Sequence, residues 1–269
     1  PDNPLTLSSE RDTSLRVELV GSSVGKPDTK QYSLTILVND CIAFDAGCLG
    51  FVSPLTIQER VQHVVLSHAH LDHIASLPIF LDNVFQTRSD CPIVYGSDAT
   101  CHALRTHLFN DVLWPDLIRL SKEESPFLEM QTIRPGESIE IEGLSIEAVA
   151  LDHAIPTLGY IISDHNSVVG ICCDTQPTFE FWERLNRYSR VSAVFVESSF
   201  PNSMKWLAQK THHLTPDDLR CELDKIEHPD AQIIAIHLKP AFYDLIVQDL
   251  ETLNHPRIEV GKPNRVYSF

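Results

Sequence analysis

The sequence predicts an α/β fold in which two mixed β-sheets lie face to face between outer layers of helices, an αββα sandwich. Three observations carry this expectation. Short apolar runs with strand character bunch in two halves of the chain, and helical patterns follow in each half. No linker, charge block or low-complexity stretch divides the halves, so residues 1–269 are expected to form one domain, with 1–14 as a flexible N-terminal segment. An apolar share of 43% is enough to fill a sizeable core.

The first half reads as short strands broken by turns. Residues 15–20 alternate, Gly21-Ser22-Ser23-Val24-Gly25 interrupts them, and residues 32–38 resume the apolar run. Asn39-Asp40 reads as a hairpin turn into a strand over 41–45, with Gly47 ending it. A helix is expected near 56–62, then a short buried strand over 63–67. Residues 74–85 have helical spacing broken by Pro78, and Ser97 caps a helix reaching about Leu108, with Asp98 in its first turn.

In the second half, alternation over 139–150 is split by a hairpin turn at Glu142-Gly143. Further strands are expected at 160–163, 168–172, 193–197 and 232–236. Thr215, Pro216 and Asp218 form a helix start with cap, N1 proline and N3 acid, and that helix should reach about Ile226. Another helix is expected over 243–253.

Composition narrows the function classes. Twenty-one basic against 37 acidic side chains give a formal net charge of −16, which disfavours a surface that coats nucleic acid or anionic membrane. The seven cysteines are odd in number and include no CxxC pair, so they read as a reduced, intracellular complement. No apolar run approaches the roughly 18 residues of a membrane span, and the first fifteen residues carry no signal peptide. A cytoplasmic protein is expected, without a nucleic-acid or membrane partner.

The densest chemical signal is Ser67-His68-Ala69-His70-Leu71-Asp72-His73, at the end of a buried strand. Imidazole and carboxylate suit zinc and similar divalent ions, and a bend lets alternate side chains face two adjacent metals. Polar residues also close later apolar runs: Asp152-His153, Asp174 and His237. One histidine after a strand is commonly structural; an ordered set following the first motif points instead to ligands.

The HxHxDH string resembles the metallo-β-lactamase fold, a superfamily of mostly dinuclear metal hydrolases. A narrower match lies in Glu197-Ser198-Ser199-Phe200-Pro201-Asn202 and Thr211-His212-His213-Leu214-Thr215-Pro216, which look like the class II cyclic-nucleotide phosphodiesterases of that superfamily. The segment Gly21–Gly25 with Lys26-Pro27 departs from that family's glycine-rich turn, which leaves base preference open.

The resemblance implies that His68, His70 and His153 hold one divalent metal, that Asp72, His73 and His237 hold the other, and that Asp174 bridges them. Zinc is the first expectation, and manganese and iron accept the same ligand types. It further implies hydrolysis of a 3′,5′-cyclic nucleotide such as cAMP or cGMP to the 5′-monophosphate by a metal-bridging hydroxide, which Asp72 would help orient. His213 would protonate the leaving oxygen and Glu197 would hold its imidazole charged. Roughly +4 from two divalent ions, less Asp72, Asp174 and a hydroxide, leaves about one positive charge for one phosphodiester. His63, His102, His107, His165, His212, His228 and His255 fit no such set and read as surface or packing residues. Members of the family often dimerise, which leaves a homodimer open. The alternatives are another hydrolase on the same metals, such as a ribonuclease Z or a lactonase, and a non-catalytic metal- or nucleotide-binding protein.

Overall fold

The computed structural model describes residues 14–21, 30–87 and 90–269. The expected N-terminal segment, apart from Ser14, and most of the Gly21–Gly25 turn lie outside them. Two seven-stranded sheets make up the centre. The first holds β1 (Arg16–Leu19), β2 (Ile36–Val38), β3 (Ile42–Phe44), β4 (His63–Val65), β5 (Ile93–Gly96) and β6 (Glu129–Thr132). The second holds β7 (Ser138–Ile141), β8 (Leu144–Leu151), β9 (Thr157–Ser163), β10 (Val168–Cys172), β11 (Ala193–Glu197), β12 (Gln232–Ile236) and β13 (Ile258–Val260). The last strand, β14 (Val266–Ser268), returns to pair antiparallel with β1.

The sheets share one plan. Each begins as an antiparallel meander, β1–β3 and β7–β10, and ends as a parallel run, β3–β6 and β10–β13. Parallel neighbours need crossover connections, and helices supply them: Leu77–Val84 between β4 and β5, Glu180–Leu185 between β10 and β11, Pro216–Leu223 between β11 and β12. The parallel strands of each sheet therefore point their carboxyl ends one way, and β8 runs in the same sense as β10. Inner faces meet in one apolar cluster, where the rings of Phe44 and Tyr160 lie 5.3 Å apart and the Tyr160 hydroxyl donates to the Leu66 carbonyl at 2.7 Å. The αββα sandwich expected from the sequence is the observed fold.

Several expected boundaries shift for local reasons. The run over 32–38 contributes only Ile36–Val38, because Leu34 instead donates to the Asp72 carbonyl at 2.8 Å and accepts from Gly47. Pro78 does not break a helix; it stands in the first turn of Leu77–Val84, where no amide donor is needed, and a separate turn, Leu71–Ile74, precedes it. The helix expected over 56–62 is the single turn Leu55–Gln58. Ser97 caps Asp98–Ala103 as expected, its hydroxyl accepting from the Thr100 amide, and the chain continues as a wider turn through Leu104–Leu108. Helix Pro216–Leu223 ends before Ile226, and its capping box is complete: Thr215 and Asp218 each accept from the other's amide. Edge strands β6, β13 and β14 are polar or very short and left no periodicity to read.

Candidate metal centre

Every expected ligand sits in the connection that leaves a strand's carboxyl end. His68 and His70 follow β4, Asp72 and His73 lie in the turn Leu71–Ile74, and His153, Asp174 and His237 follow β8, β10 and β12. The chain must turn sharply to present them. His237 and Asp45, each one residue past its strand, adopt left-handed φ angles of 58° and 59°. Such a backbone is unusual outside glycine and clusters where neighbours over-determine it. Gly47 makes room for the motif turn, since a Cβ there would fall 2.1 Å from the Asp72 carbonyl oxygen.

The side chains converge in two sets that share a carboxylate. His68 Nε2 and His153 Nε2 lie 2.9 and 3.2 Å from His70 Nδ1, and Asp174 Oδ2 is 3.7 Å from His68 and 3.8 Å from His153. In the second set, Asp72 Oδ2 is 3.3 Å from His237 Nε2, and Asp72 Oδ1 is 4.0 Å from His73 Nε2. Asp174 reaches this set too, with Oδ2 at 3.2 Å from His73 Nε2 and Oδ1 at 3.5 Å from His237 Nδ1. Within each set the ligand atoms lie within 4.8 Å of one another, the first being His68, His70, His153 and Asp174 and the second Asp72, His73 and His237.

These residues fit divalent metals on their own chemistry. Asp174 Oδ1 is buried and accepts no hydrogen bond from the described residues, a costly state for a carboxylate oxygen that a cation would relieve. Burial holds His68, His70 and His153 below the ordinary histidine value, so their lone pairs are free to ligate. Burial alone would also depress His73, but Asp174 and Asp45 on either side outweigh it and raise His73 well above that value. Asp72 and Asp174 stay ionised despite burial: His237 leads in holding Asp72 below the usual carboxylate range, and His237 and His73 do so for Asp174.

Two buried carboxylate–serine pairs orient four of the rings. Ser67 Oγ lies 2.8 Å from Asp45 Oδ2 and 2.9 Å from His68 Nδ1, while Asp45 Oδ2 meets His73 Nδ1 directly at 2.7 Å. Ser199 Oγ donates to Glu197 Oε2 at 2.6 Å and meets His237 Nδ1 at 2.9 Å, while Glu197 Oε1 meets His213 Nδ1 at 2.8 Å. A serine has one proton, and an ionised carboxylate can only accept, so each serine accepts from its histidine. Nδ1 of His68, His73, His213 and His237 therefore carries the proton, and Nε2 faces the centre. His153 is fixed likewise, donating from Nδ1 to the His212 carbonyl at 2.8 Å.

His213 and Glu197, the expected acid and its partner, stand beside the expected ligands, and His213 lies within 4.8 Å of Asp174 and His237 through one of its ring nitrogens. The His213 ring lies 5.0 Å from that of His153 and 5.8 Å from that of His237. Burial opposes its charged form, but Glu197 outweighs that and raises His213 above the ordinary value, with Lys239 subtracting from the effect. Glu197 also accepts from the Thr175 and Leu214 amides, which hold the carboxylate in place.

Sequence reasoning missed Asp45, Ser67, Ser199 and Lys239. Asp45 closes an apolar run just as the ligands do, and that signal was available. His212 does more than pack: as the left-handed cap of Lys205–Thr211 it offers its carbonyl to His153. No helix among the described residues is long and apolar enough to cross a membrane.

Comparison with known proteins agrees with the geometry. A probable 3′,5′-cyclic-nucleotide phosphodiesterase of Yersinia pestis is 27% identical over 245 residues, covering 78% of this chain and 69% of the relative. A ribonuclease Z of Methanosarcina acetivorans is 25% identical over 158 residues, covering 56% of this chain and 49% of that protein. Among solved structures, unliganded yeast PDE1 superposes with a TM-score of 0.78 at 17% identity, covering 95% of this chain and 99% of that one. The short form of human tRNase Z superposes with a TM-score of 0.65 at 14% identity, covering 94% and 98%. Residues 36–238 match the family described as Beta-lactamase superfamily domain, and the chain belongs to that family, with the metallo-β-lactamase fold.

Proposed function

We propose that this chain is a metal-dependent phosphodiesterase that hydrolyses 3′,5′-cyclic nucleotides to nucleoside 5′-monophosphates. The observation that carries the reading is the His213–Glu197 pair, at 2.8 Å, set against the His68, His70, His153 and Asp174 cluster and the Asp72, His73 and His237 cluster, with Asp174 within reach of both and of His213. Relatives named as cyclic-nucleotide phosphodiesterases, and the Glu197–Asn202 and Thr211–Pro216 strings, give the substrate class its support.

Ions held by His68, His70 and His153, and by Asp72, His73 and His237, with Asp174 between, would supply water activation and charge stabilisation at phosphorus. The protein's own groups do the rest. Water adds to phosphorus as the bond to the 3′ oxygen breaks, and that oxygen needs a proton to leave. His213 carries one on Nε2 when Glu197 keeps the ring charged, and it is the acid of the site. Asp72, held well into its ionised range, would help orient the attacking water. The missed residues leave the charge count unchanged, because Asp45 adds one negative charge and Lys239 one positive.

A ribonuclease Z activity is the second reading, favoured by relatives of that name. The test is a panel on protein of measured metal content: cAMP, cGMP, pyrimidine cyclic nucleotides, bis-p-nitrophenyl phosphate, pre-tRNA and a lactone. The expected result is about two metals per chain and turnover of a cyclic nucleotide. Metal-loaded protein that cleaves only pre-tRNA or only lactone overturns the reading.

A further inference from the structure

Lys239 stands two residues past His237, and its backbone is tied on both sides. Its amide donates to the Ser199 carbonyl at 3.3 Å, and its own carbonyl accepts from the Phe242 amide at 2.9 Å. The side chain is thus rooted beside the metal ligand and the Glu197–Ser199 pair. Its ammonium donates to Asp72 Oδ2 at 2.9 Å, the same oxygen that faces His237 Nε2 at 3.3 Å. Lys239 is neither buried nor free: 29% of its side chain is exposed, as is 31% of that of Asp72. Its positive charge is felt at His213 as well, so its influence extends from Asp72 to the proposed acid.

A carboxylate oxygen that turns to a metal has less to give an ammonium. Lysine has three donors on a flexible stem, and a partly exposed one at this point can keep Asp72 with one donor and offer another outward. The acceptor that fits is an anionic oxygen next to the reacting centre.

We propose that Lys239 is a substrate-contacting residue, its ammonium gripping a non-bridging oxygen of the phosphodiester while Asp72 keeps it in place. The identity of that anion as a phosphodiester rests on the function proposed above. The contact favours anionic phosphoesters over neutral esters, and it continues into the 5′-monophosphate product.

The test uses metal-loaded wild type, Lys239→Gln and Lys239→Arg. Metal content, AMP and inorganic phosphate binding by calorimetry, and KM and kcat for a cyclic nucleotide are measured on each. Metal content should hold in both variants. AMP binding and KM should worsen roughly 10- to 100-fold in Lys239→Gln, the scale of one charge-assisted hydrogen bond, with partial recovery in Lys239→Arg. Wild-type AMP and phosphate affinity in a metal-replete Lys239→Gln overturns the proposal. So does loss of metal in both variants with AMP affinity falling in proportion, which would make Lys239 a prop for Asp72. If wild type cleaves no cyclic nucleotide but binds AMP and phosphate through Lys239, the substrate reading fails and the anion contact stands.

Discussion

At the scale of single residues, His213 and Asp45 make the sharpest contrast. His213 is expected to act through its proton, so His213→Ala should keep its metals and lose about 10²- to 10⁴-fold in kcat with a poor leaving group. Full kcat with metals bound would remove it from the mechanism. Folding raises its pKa, so the Glu197 pair contributes fully below the ordinary value of 6.5 and fades as pH climbs through the raised one. The wild-type kcat profile should therefore fall on an alkaline limb above pH 6.5, and Glu197→Gln should move that limb down. Asp45 is buried beneath the cluster and holds His73 directly and His68 through Ser67. Asp45→Asn should weaken metal binding roughly 10- to 100-fold, read by competition with a chelating dye. Histidines and carboxylates in a dense string announce themselves in a sequence, whereas Ser67 and Ser199 look like any serine. Their importance comes from tertiary placement: each accepts from one imidazole while donating to a buried carboxylate.

At the scale of elements, local chemistry was legible wherever one short segment decides the outcome. Thr215 and Asp218 specify their helix start unaided, and the hairpin turns at Asn39-Asp40 and Glu142-Gly143 take positive φ angles that Asn39, Asp40 and Gly143 favour. Thr215→Ala removes one half of the capping box and should cost about 1 kcal/mol, seen as a fall of about 2–4 °C in Tm. Boundaries failed where a distant segment competes for the backbone. Residues 32–35 have strand character, yet Leu34 bonds the motif turn across the fold. Gly47 marks that same contact: a methyl there meets backbone, which cannot swing away as a side chain can. Gly47→Ala should displace Asp72 and reduce bound metal, measurable by elemental analysis of the purified variant.

At the scale of the molecule, the formal net charge is −16, and the side-chain clusters at the candidate centre could hold cations. Like-charge repulsion at long range should be relieved by salt, so kcat/KM for a cyclic nucleotide should not fall as ionic strength rises toward 0.15 M. A steep fall would mean that a local positive field governs encounter. The expected ligands divide between the two sheets. His68, His70, Asp72 and His73 hang from the first sheet, and His153, Asp174 and His237 from the second. Ions held at this point would act as rivets through a seam between the two halves of the chain. Ligand-linked stability at about a thousandfold excess over Kd is worth about 4 kcal/mol, so chelation should lower Tm and first release amide protection at the carboxyl ends of β4, β10 and β12. Metal loss would then be a mechanical event as much as a chemical one, because the halves that build the centre are the halves it would fasten.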